Sequence, residues 1–90
     1  MADAQTHELK TVRPWFPLVY HGEKTAELRK HDRDFRVGDI LLLREYIPDE
    51  CHYTGSAVKA EITHIVTDAD GPWLTRDHCM ISFIVLELIP

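Results

Sequence analysis

The sequence predicts an α+β domain that is mainly β: a small, partly closed β-barrel of about five strands, with one N-terminal helix packed over one end. Five apolar segments separated by turn-forming residues have the length of strands, and one early segment has helix signals at both ends. The 90 residues suit one domain with a modest core, because such a chain buries only about 60–65% of its unfolded surface. We expect residues 1–6 to form a disordered tail and residues 7–90 the domain.

The first strand and the helix are predicted near the N-terminus. Residues 7–11 are expected to form the strand. Residues 13–21 are expected to form the helix, because Pro14 suits the first helical position and Gly22 is a natural stop after the last turn.

Four further strands complete the predicted barrel. They are expected at residues 25–30, 40–46, 57–66 and 79–88, with loops at 48–55 and 67–77. The second of these strands is apolar on both faces, which indicates a central position. The third alternates as a half-buried antiparallel strand does and has His64 on its apolar face, where we expect a hydrogen-bonded core histidine. The fourth is apolar enough to be buried along its length, with Cys79 as a small core residue.

Composition and charge exclude several classes of protein. The net charge of −5 argues against a nonspecific nucleic-acid coat, which is normally strongly basic. Residues 24–36 are nevertheless locally basic, which suits a compact anionic ligand or a few phosphates. The chain has no apolar run near the roughly 18 residues of a membrane span, so no membrane partner is expected. Two cysteines and the lack of a leader at Met1 predict a reducing cytoplasm.

The most informative motif is G-x-K-x-x-E-x-R at residues 22–29. On a strand, Thr25, Glu27 and Arg29 share one face, and the apolar residues between them, including Leu28, share the other. We expect the apolar face to enter the core and the polar face to line a ligand cleft.

The charged residues of this motif suit a binding site. Lys24 can reach the polar face, and a carboxylate such as Glu27 stays ionised beside two cations. It can then accept hydrogen bonds from the exocyclic amine of a base, while Arg29 can bind a phosphate or carboxylate through two parallel hydrogen bonds. The alternative is a surface ion-pair ladder worth about 0–1 kcal/mol and without function.

Two other regions supply weaker candidates. Residues 30–36 alternate in charge around Phe35, which we expect to anchor in the core. Local turn-forming pairs are favoured there over ligand contact, although Arg33 and Arg36 can reach a phosphate. Trp73, in a Gly-Pro loop, can stack on a base or cover the end of the barrel. The predicted cleft therefore lies between the motif strand, the first helix and the loop at 67–77.

No metal or other cofactor is predicted. The chain contains six histidines but neither H-E-x-x-H nor C-x-x-C, and its adjacent Cys-His pairs do not have the spacing of metal ligands.

A second block, R-K-x-D-R-D-F-x-V-G-D, occupies residues 29–39 and continues directly from the last residue of the motif. Residues 7–10 read His-Glu-Leu-Lys. With these blocks the chain resembles the ASCH domains of the PUA-like superfamily, and within it a small group of bacterial and phage proteins, over residues 7–87. The resemblance implies a PUA-like barrel that binds RNA, a nucleotide or a modified nucleoside. Recognition without chemistry is the function we expect.

Two alternatives remain open. One branch of the ASCH superfamily, which this chain resembles, is an amidohydrolase that removes the acyl group from N-acetylated cytidine, with a Lys, a Thr and a distal Glu as its proposed catalytic set. Lys24 matches that Lys, but Glu27 stands where the Thr would be, Thr25 has a different spacing, and Glu61 is an uncertain counterpart of the distal Glu. If the protein is an enzyme, Lys24 and Glu27 form the catalytic pair. The other alternative is a protein-interaction module of a mobile element, acting through the acidic surface.

Overall fold

The computed structural model describes residues 3–90. Within them, five strands form one sheet: β1 (Thr6–Thr11), β2 (Ala26–Lys30), β3 (Ile40–Ile47), β4 (His52–Thr67) and β5 (His78–Ile89). One short helix, α1 (Trp15–Tyr20), follows β1. The strand order is β1-β3-β4-β5-β2, with β1 parallel to β3 and the other pairs antiparallel. The sheet curls into a half-barrel, so the prediction of a small, mainly β domain with five strands and one helix is confirmed.

The two edge strands of this sheet, β1 and β2, are joined by arginine side chains. In a parallel pair, the main-chain N–H and C=O groups of every second residue point toward the partner strand. Gln5 O accepts a hydrogen bond from Ile40 N and so points toward β3, which means that the carbonyls of Glu8 and Lys10 point away from it. Arg29 Nη2 donates to Lys10 O at 2.6 Å and Arg33 Nη1 to Glu8 O at 3.2 Å. Guanidinium groups thus satisfy carbonyls that an open edge would leave unpaired. We call the gap between β1 and β2 the seam.

The hydrophobic core fills the concave face of the sheet beneath α1. The apolar strand residues of this core come from every strand except β2: Leu9, Leu41, Leu43, Val58, Ala60, Ile62, Cys79, Ile81 and Phe83. Phe16 and Val19 of α1 pack against them, and Cys79 lies in the core as predicted. Burial raises the pKa of the Cys79 thiol, and the charge of Asp32 raises it further.

The helix has the predicted stop but is shorter than the predicted range 13–21. Pro14 is its N-terminal cap residue and His21 its C-terminal one. Gly22 follows with φ of +78°, and its N–H donates to Val19 O at 3.1 Å. A positive φ suits glycine because it has no Cβ, so the chain can leave the helix there at little conformational cost.

The predicted loop at 48–55 is wrong in its second half, because β4 begins at His52. A 3-10 turn at Pro48–Glu50 closes the hairpin, and Tyr46 pairs with Tyr53 in the register. Their rings meet edge-on with centroids 5.0 Å apart. Such aromatic cross-strand pairs stabilise a sheet. Here the pair extends the strand pairing of β3 and β4 into residues 52–55, whose polar sequence resembles a turn.

The predicted position of His64 on the apolar face is also wrong. A register shift between Ile62 and His64 inserts an extra residue into β4. The bulge reverses which residues face inward, so His64 is exposed and Ile65 packs against the core.

The last strand is buried only in its first half, contrary to prediction. Cys79, Ile81 and Phe83 are buried, whereas the apolar residues of the second half are exposed: Ile84, Val85, Leu86 and Leu88. The paired register of β2 with β5 ends at Ser82, so the second half of β5 has β4 as its neighbour on one side alone within the described residues.

The second sequence block, residues 29–39, has a structural role at Asp39. This buried carboxylate accepts hydrogen bonds from His7 Nε2 at 2.8 Å and from the N–H groups of Gln5 and Arg36 at 3.1 Å each. Phe35 is buried as predicted and packs edge-on against the His7 ring, with centroids 4.8 Å apart. Asp39 thereby ties the start of β1 to the turn before β3.

The first strand begins one residue earlier than the predicted residue 7. Thr6 begins β1, and Gln5 hydrogen-bonds to both Asp39 and Ile40. The part of the predicted tail at Met1 and Ala2 lies outside the described residues. In the stretch from residue 3 to residue 90, no helix has the length and apolar character needed to cross a membrane.

Candidate functional site

The motif strand β2 alternates as predicted, but its two faces are the reverse of the expectation. Glu27 is only 5% exposed, whereas Leu28 is 66% exposed. Glu27 and Arg29 pair with Ile81 and Cys79, both of which point into the core. Directly paired residues share a face, so the register with β5 turns the polar residues inward. The expectation that the apolar face of β2 enters the core is therefore wrong.

The inward-facing carboxylate is held by two cations. Lys24 Nζ donates to Glu27 Oε1 at 2.8 Å, and Arg29 Nε donates to Glu27 Oε2 at 3.0 Å. Lys24 also donates to Ala26 O, and Arg29 reaches Lys10 O across the seam. A carboxylate this buried is stable only when paired and hydrogen-bonded, so an exposed ion-pair ladder does not describe it. We call Lys24, Glu27 and Arg29 the charged cluster.

A pocket of about 420 Å³ opens beside the charged cluster. Its lining combines an indole, aliphatic groups and polar groups: Trp15, Lys24, Thr25, Ala26, Glu27, Leu28 and Met80. Trp15, at the start of α1, is 51% exposed, so much of its ring is accessible. Small-molecule sites typically have volumes of about 300–1,000 Å³, mainly apolar walls and a few well-placed polar groups. We call this site the Trp15 pocket.

A second pocket, of about 290 Å³, lies along the seam. It shares three lining residues with the Trp15 pocket, namely Trp15, Glu27 and Leu28. Its other lining residues come from the end of β1, from β2 and from the start of β5: Lys10, Thr11, Val12, Arg29, Lys30 and His78. We call it the seam pocket. The two pockets are neighbouring parts of one groove along β2.

The main chain of β2 adds polar groups to this groove. In an antiparallel pair, the main-chain groups of alternate residues point toward the partner strand and away from it. Thr25 O accepts a hydrogen bond from Phe83 N and so points toward β5, which means that the N–H and C=O groups of Ala26 and Leu28 point away from β5. Lys24 already occupies the Ala26 carbonyl. Leu28 therefore presents a main-chain donor and acceptor on the open side of β2, between the two pockets.

Four of the six predicted ligand residues line this groove, and two lie elsewhere. Lys24, Thr25 and Glu27 line the Trp15 pocket, and Arg29 lines the seam pocket. Arg33 instead donates to Glu8 O beside the seam, and its partner Asp32 lies 3.9 Å away on the same turn.

The tryptophan at the site is Trp15 rather than Trp73. Trp73 is 75% exposed, and its ring lies against Gly71, where a Cβ would be only 2.0 Å from a ring carbon. It lines neither pocket of the groove as far as residues 3–90 are concerned. The six-residue α1 buries Phe16 but leaves Trp15 accessible. A helix this short cannot bury two successive aromatic residues, and that feature of the sequence could have identified Trp15 as a site residue.

A third pocket, of about 330 Å³, lies near the C-terminus beside Glu45. Both oxygens of this buried carboxylate are satisfied, by Arg13 Nε at 3.1 Å and Thr54 Oγ1 at 2.8 Å. Glu61, the uncertain counterpart of the distal Glu, lies on β4 opposite Ile40 and Ile84. It lines neither the Trp15 pocket, nor the seam pocket, nor this third pocket. Across that part of the chain, no group of three or more His, Cys, Asp or Glu is close enough to hold a metal ion.

Comparison with known proteins identifies the family. The family model described as "Domain of unknown function (DUF3850)" matches residues 6–83, and this chain belongs to that family. The matched region includes every residue that lines the Trp15 pocket and the seam pocket. The chain is also similar to the "Uncharacterized 12.9 kDa protein in GpA 3'region" of Escherichia phage P2. The two are 38% identical over 87 residues, which cover 97% of this chain and 75% of the phage protein.

Proposed function

We propose that this protein binds a nucleobase-containing ligand (RNA, a nucleotide or a modified nucleoside) in the Trp15 pocket, and that it acts by recognition without chemistry. The observation that carries the proposal is the placement of Glu27, a buried carboxylate oriented by two cations, in a pocket that also contains an accessible indole. A base has a flat apolar face and a polar edge, and this pocket offers a partner for each.

The polar edge of a base fits the acceptor capacity that Glu27 retains. Each carboxylate oxygen accepts one hydrogen bond from the charged cluster, and an ionised carboxylate has about four acceptor positions. Glu27 can therefore accept further hydrogen bonds from an exocyclic amine or a ring N–H. The Leu28 main chain offers a donor and an acceptor beside it. Trp15 stacks on the face of the base, with Leu28 and Met80 as apolar neighbours.

The proposal includes membership of the ASCH domains and a PUA-like barrel. Its support is the G-x-K-x-x-E-x-R motif, whose Lys24 and Glu27 line the Trp15 pocket and whose Arg29 bridges the seam. The net charge of −5 favours a compact ligand over a long duplex, which would demand many cations. The proposal places the protein in a reducing cytoplasm, which suits a chain with two cysteines and no disulfide framework.

A second candidate, hydrolysis of an N-acylated nucleoside, has one observation in its favour. Lys24 Nζ lies 2.8 Å from Glu27 Oε1, within the reach that acid–base catalysis needs, and Thr25 lines the same pocket. Glu61 does not join them. Incubation with N-acetylcytidine distinguishes the candidates. We expect no deacylated product above background, and turnover that disappears in Lys24→Ala would replace our proposal with this one.

The binding proposal is tested with a matched pair of tryptophan variants. Nucleosides, nucleotides and short RNAs are screened for an increase in melting temperature, since a ligand that binds the native state stabilises it. Titration calorimetry then measures the hits. We expect Trp15→Ala to weaken binding about 10- to 100-fold, because stacking of one base on an aromatic side chain is worth about 1–3 kcal/mol. Trp73→Ala, an equal loss of exposed indole outside the pocket, should leave the affinity unchanged. Equal affinities of the two variants, or no binding by any of these ligands, would contradict the proposal.

A further inference from the structure

The seam pocket continues directly from the Trp15 pocket, so one ligand can occupy both. Trp15, Glu27 and Leu28 line the two pockets in common, and the volumes are about 420 and 290 Å³. A base in the first pocket would leave its sugar and any attached group pointing along β2 in one of two directions. The direction along the seam leads between the two edge strands.

The two pockets differ in charge. In the Trp15 pocket, one cation, Lys24, is already paired with Glu27. The seam pocket adds Arg29 and Lys30, so its cations outnumber its carboxylate. Lys10 also lines the seam pocket, but its ammonium is engaged with the Tyr46 ring, 4.4 Å from the ring centroid.

The two added cations retain unused donors. Arg29 uses Nε and Nη2 for Glu27 and Lys10 O, and its Nη1 has no hydrogen-bond partner within residues 3–90. Lys30 is exposed and forms no ion pair in that same range. On a protein whose net charge is −5, these donors form a local site for an anion.

A buried hydroxyl in the seam pocket lacks a partner. Thr11 is only 2% exposed and lines this pocket, and its Oγ1 is the buried side-chain polar atom without a hydrogen bond among the described residues. Leaving such a group unsatisfied costs about 1–3 kcal/mol. A ligand oxygen in the seam pocket would accept its hydrogen bond and remove that cost. This observation is independent of the charges, and a ligand with oxygen atoms in the seam pocket would satisfy it.

We infer that the seam pocket binds a phosphate, and hence that the ligand is a phosphorylated nucleotide, free or at a site in RNA, rather than a bare nucleoside. The inference rests on the proposed function, because the base in the Trp15 pocket determines where the phosphate lies. Arg29 and Lys30 donate charge-assisted hydrogen bonds to the phosphate oxygens. Thr11 donates its hydroxyl to one of them. Glu27 also lines the seam pocket, and its negative charge there is offset by Arg29, whose Nε donates to Glu27 Oε2 at 3.0 Å.

The test compares each common ribonucleoside with its 5′- and 3′-monophosphates by titration calorimetry on the full chain. We expect at least one monophosphate to bind about ten-fold or more tightly than its nucleoside, since hydrogen bonds to charged groups are worth about 1.5–3 kcal/mol. Lys30→Ala and Thr11→Val should each reduce that ratio several-fold while nucleoside affinity stays the same. Lys59→Ala, which removes an exposed lysine on β4 outside both pockets, is the matched control and should change nothing.

The outcomes separate this inference from the proposed function. Equal affinity for nucleoside and monophosphate would overturn the phosphate site but leave the base pocket. A monophosphate preference that survives both Lys30→Ala and Thr11→Val would also overturn the seam pocket as its origin. Monophosphate binding that is lost in Lys30→Ala but unaffected by Trp15→Ala would support the phosphate site and contradict the base pocket. Absence of binding by every nucleoside and monophosphate would overturn both.

Discussion

Asp39 and Glu27 are two equally buried carboxylates, each 5% exposed, with different partners. Asp39 accepts hydrogen bonds from two main-chain N–H groups and from the His7 ring. Glu27 is held by the ends of two long side chains, Lys24 and Arg29, both of which remain partly exposed. Asp39 lines neither the Trp15 pocket nor the seam pocket, whereas Glu27 lines both.

The hydrogen-bond partners of a buried carboxylate, more than the extent of its burial, therefore indicate whether its role is structural or functional. Main-chain donors cannot move without changing the fold, so Asp39 fixes the backbone between β1 and β3. The ammonium of Lys24 and the guanidinium of Arg29 can shift when a ligand enters, so Glu27 can exchange or add hydrogen bonds. Asp39 is accordingly expected to control stability, and Glu27 to control binding.

The largest effect should follow removal of the main-chain-bound carboxylate. Asp39→Ala leaves two buried N–H groups and the His7 ring without their acceptor, so we expect the free energy of unfolding to fall by about 3–5 kcal/mol. Urea denaturation measures it. Asp34→Ala is the control, because Asp34 forms an exposed pair with Arg36 at 2.9 Å and should cost less than about 0.5 kcal/mol. Similar losses of unfolding free energy in Asp39→Ala and Asp34→Ala would contradict the structural role assigned to Asp39.

A smaller effect on stability, but a clear one on binding, should follow Glu27→Gln. The isosteric amide leaves Lys24 and Arg29 close to water, so we expect a loss of about 1 kcal/mol in unfolding free energy. Affinity for a base-bearing ligand should fall about ten-fold or more, because the amide presents fewer acceptors and no charge. Glu45→Gln supplies the comparison: it alters another buried carboxylate, outside the groove, and should leave affinity unchanged. Equal affinity of the two variants would mean that Glu27 is structural.

The smallest effect is the acid dependence of stability through Asp39. Burial alone would raise the pKa of Asp39, but hydrogen bonds from His7, Gln5 and Arg36 outweigh it and hold the pKa below the ordinary value of 3.8. The stabilisation is therefore complete above the unfolded-state pKa and is lost as the pH falls through the lower folded-state pKa. We expect the stability difference between the wild type and Asp39→Asn to be constant near neutral pH and to shrink in acid below about pH 4. A difference that grows on acidification would have the wrong sign.

The sequence predicted much of this molecule from local patterns. Alternation and apolar runs located the five strands, Gly22 marked the end of the helix, and Phe35 was correctly placed in the core. The motif also grouped Lys24, Glu27 and Arg29 correctly as interacting residues. These features depend on the period of a strand or on the conformational preference of one residue, and both are properties of the chain itself.

Errors arose where a neighbour in space decided the outcome. The bulge before His64 reversed the inward face of β4, and the end of β2 left half of β5 uncovered. An alternating pattern shows which residues share a face, but it does not show which face meets the core. For β2, pairing with β5 made that choice and placed Glu27 inside and Leu28 outside.

The composition of the groove was likewise decided by tertiary structure alone. Trp15, Thr11 and Lys30 come from α1, β1 and β2, and only the curl of the sheet brings the two edge strands to either side of one seam. The sequence by itself determined the strands, the helix stop and the charged motif, because each follows from interactions between residues close together in the chain. The inward face of β2 and the partners of its carboxylate depended on contacts between distant segments, and those form only when the sheet closes.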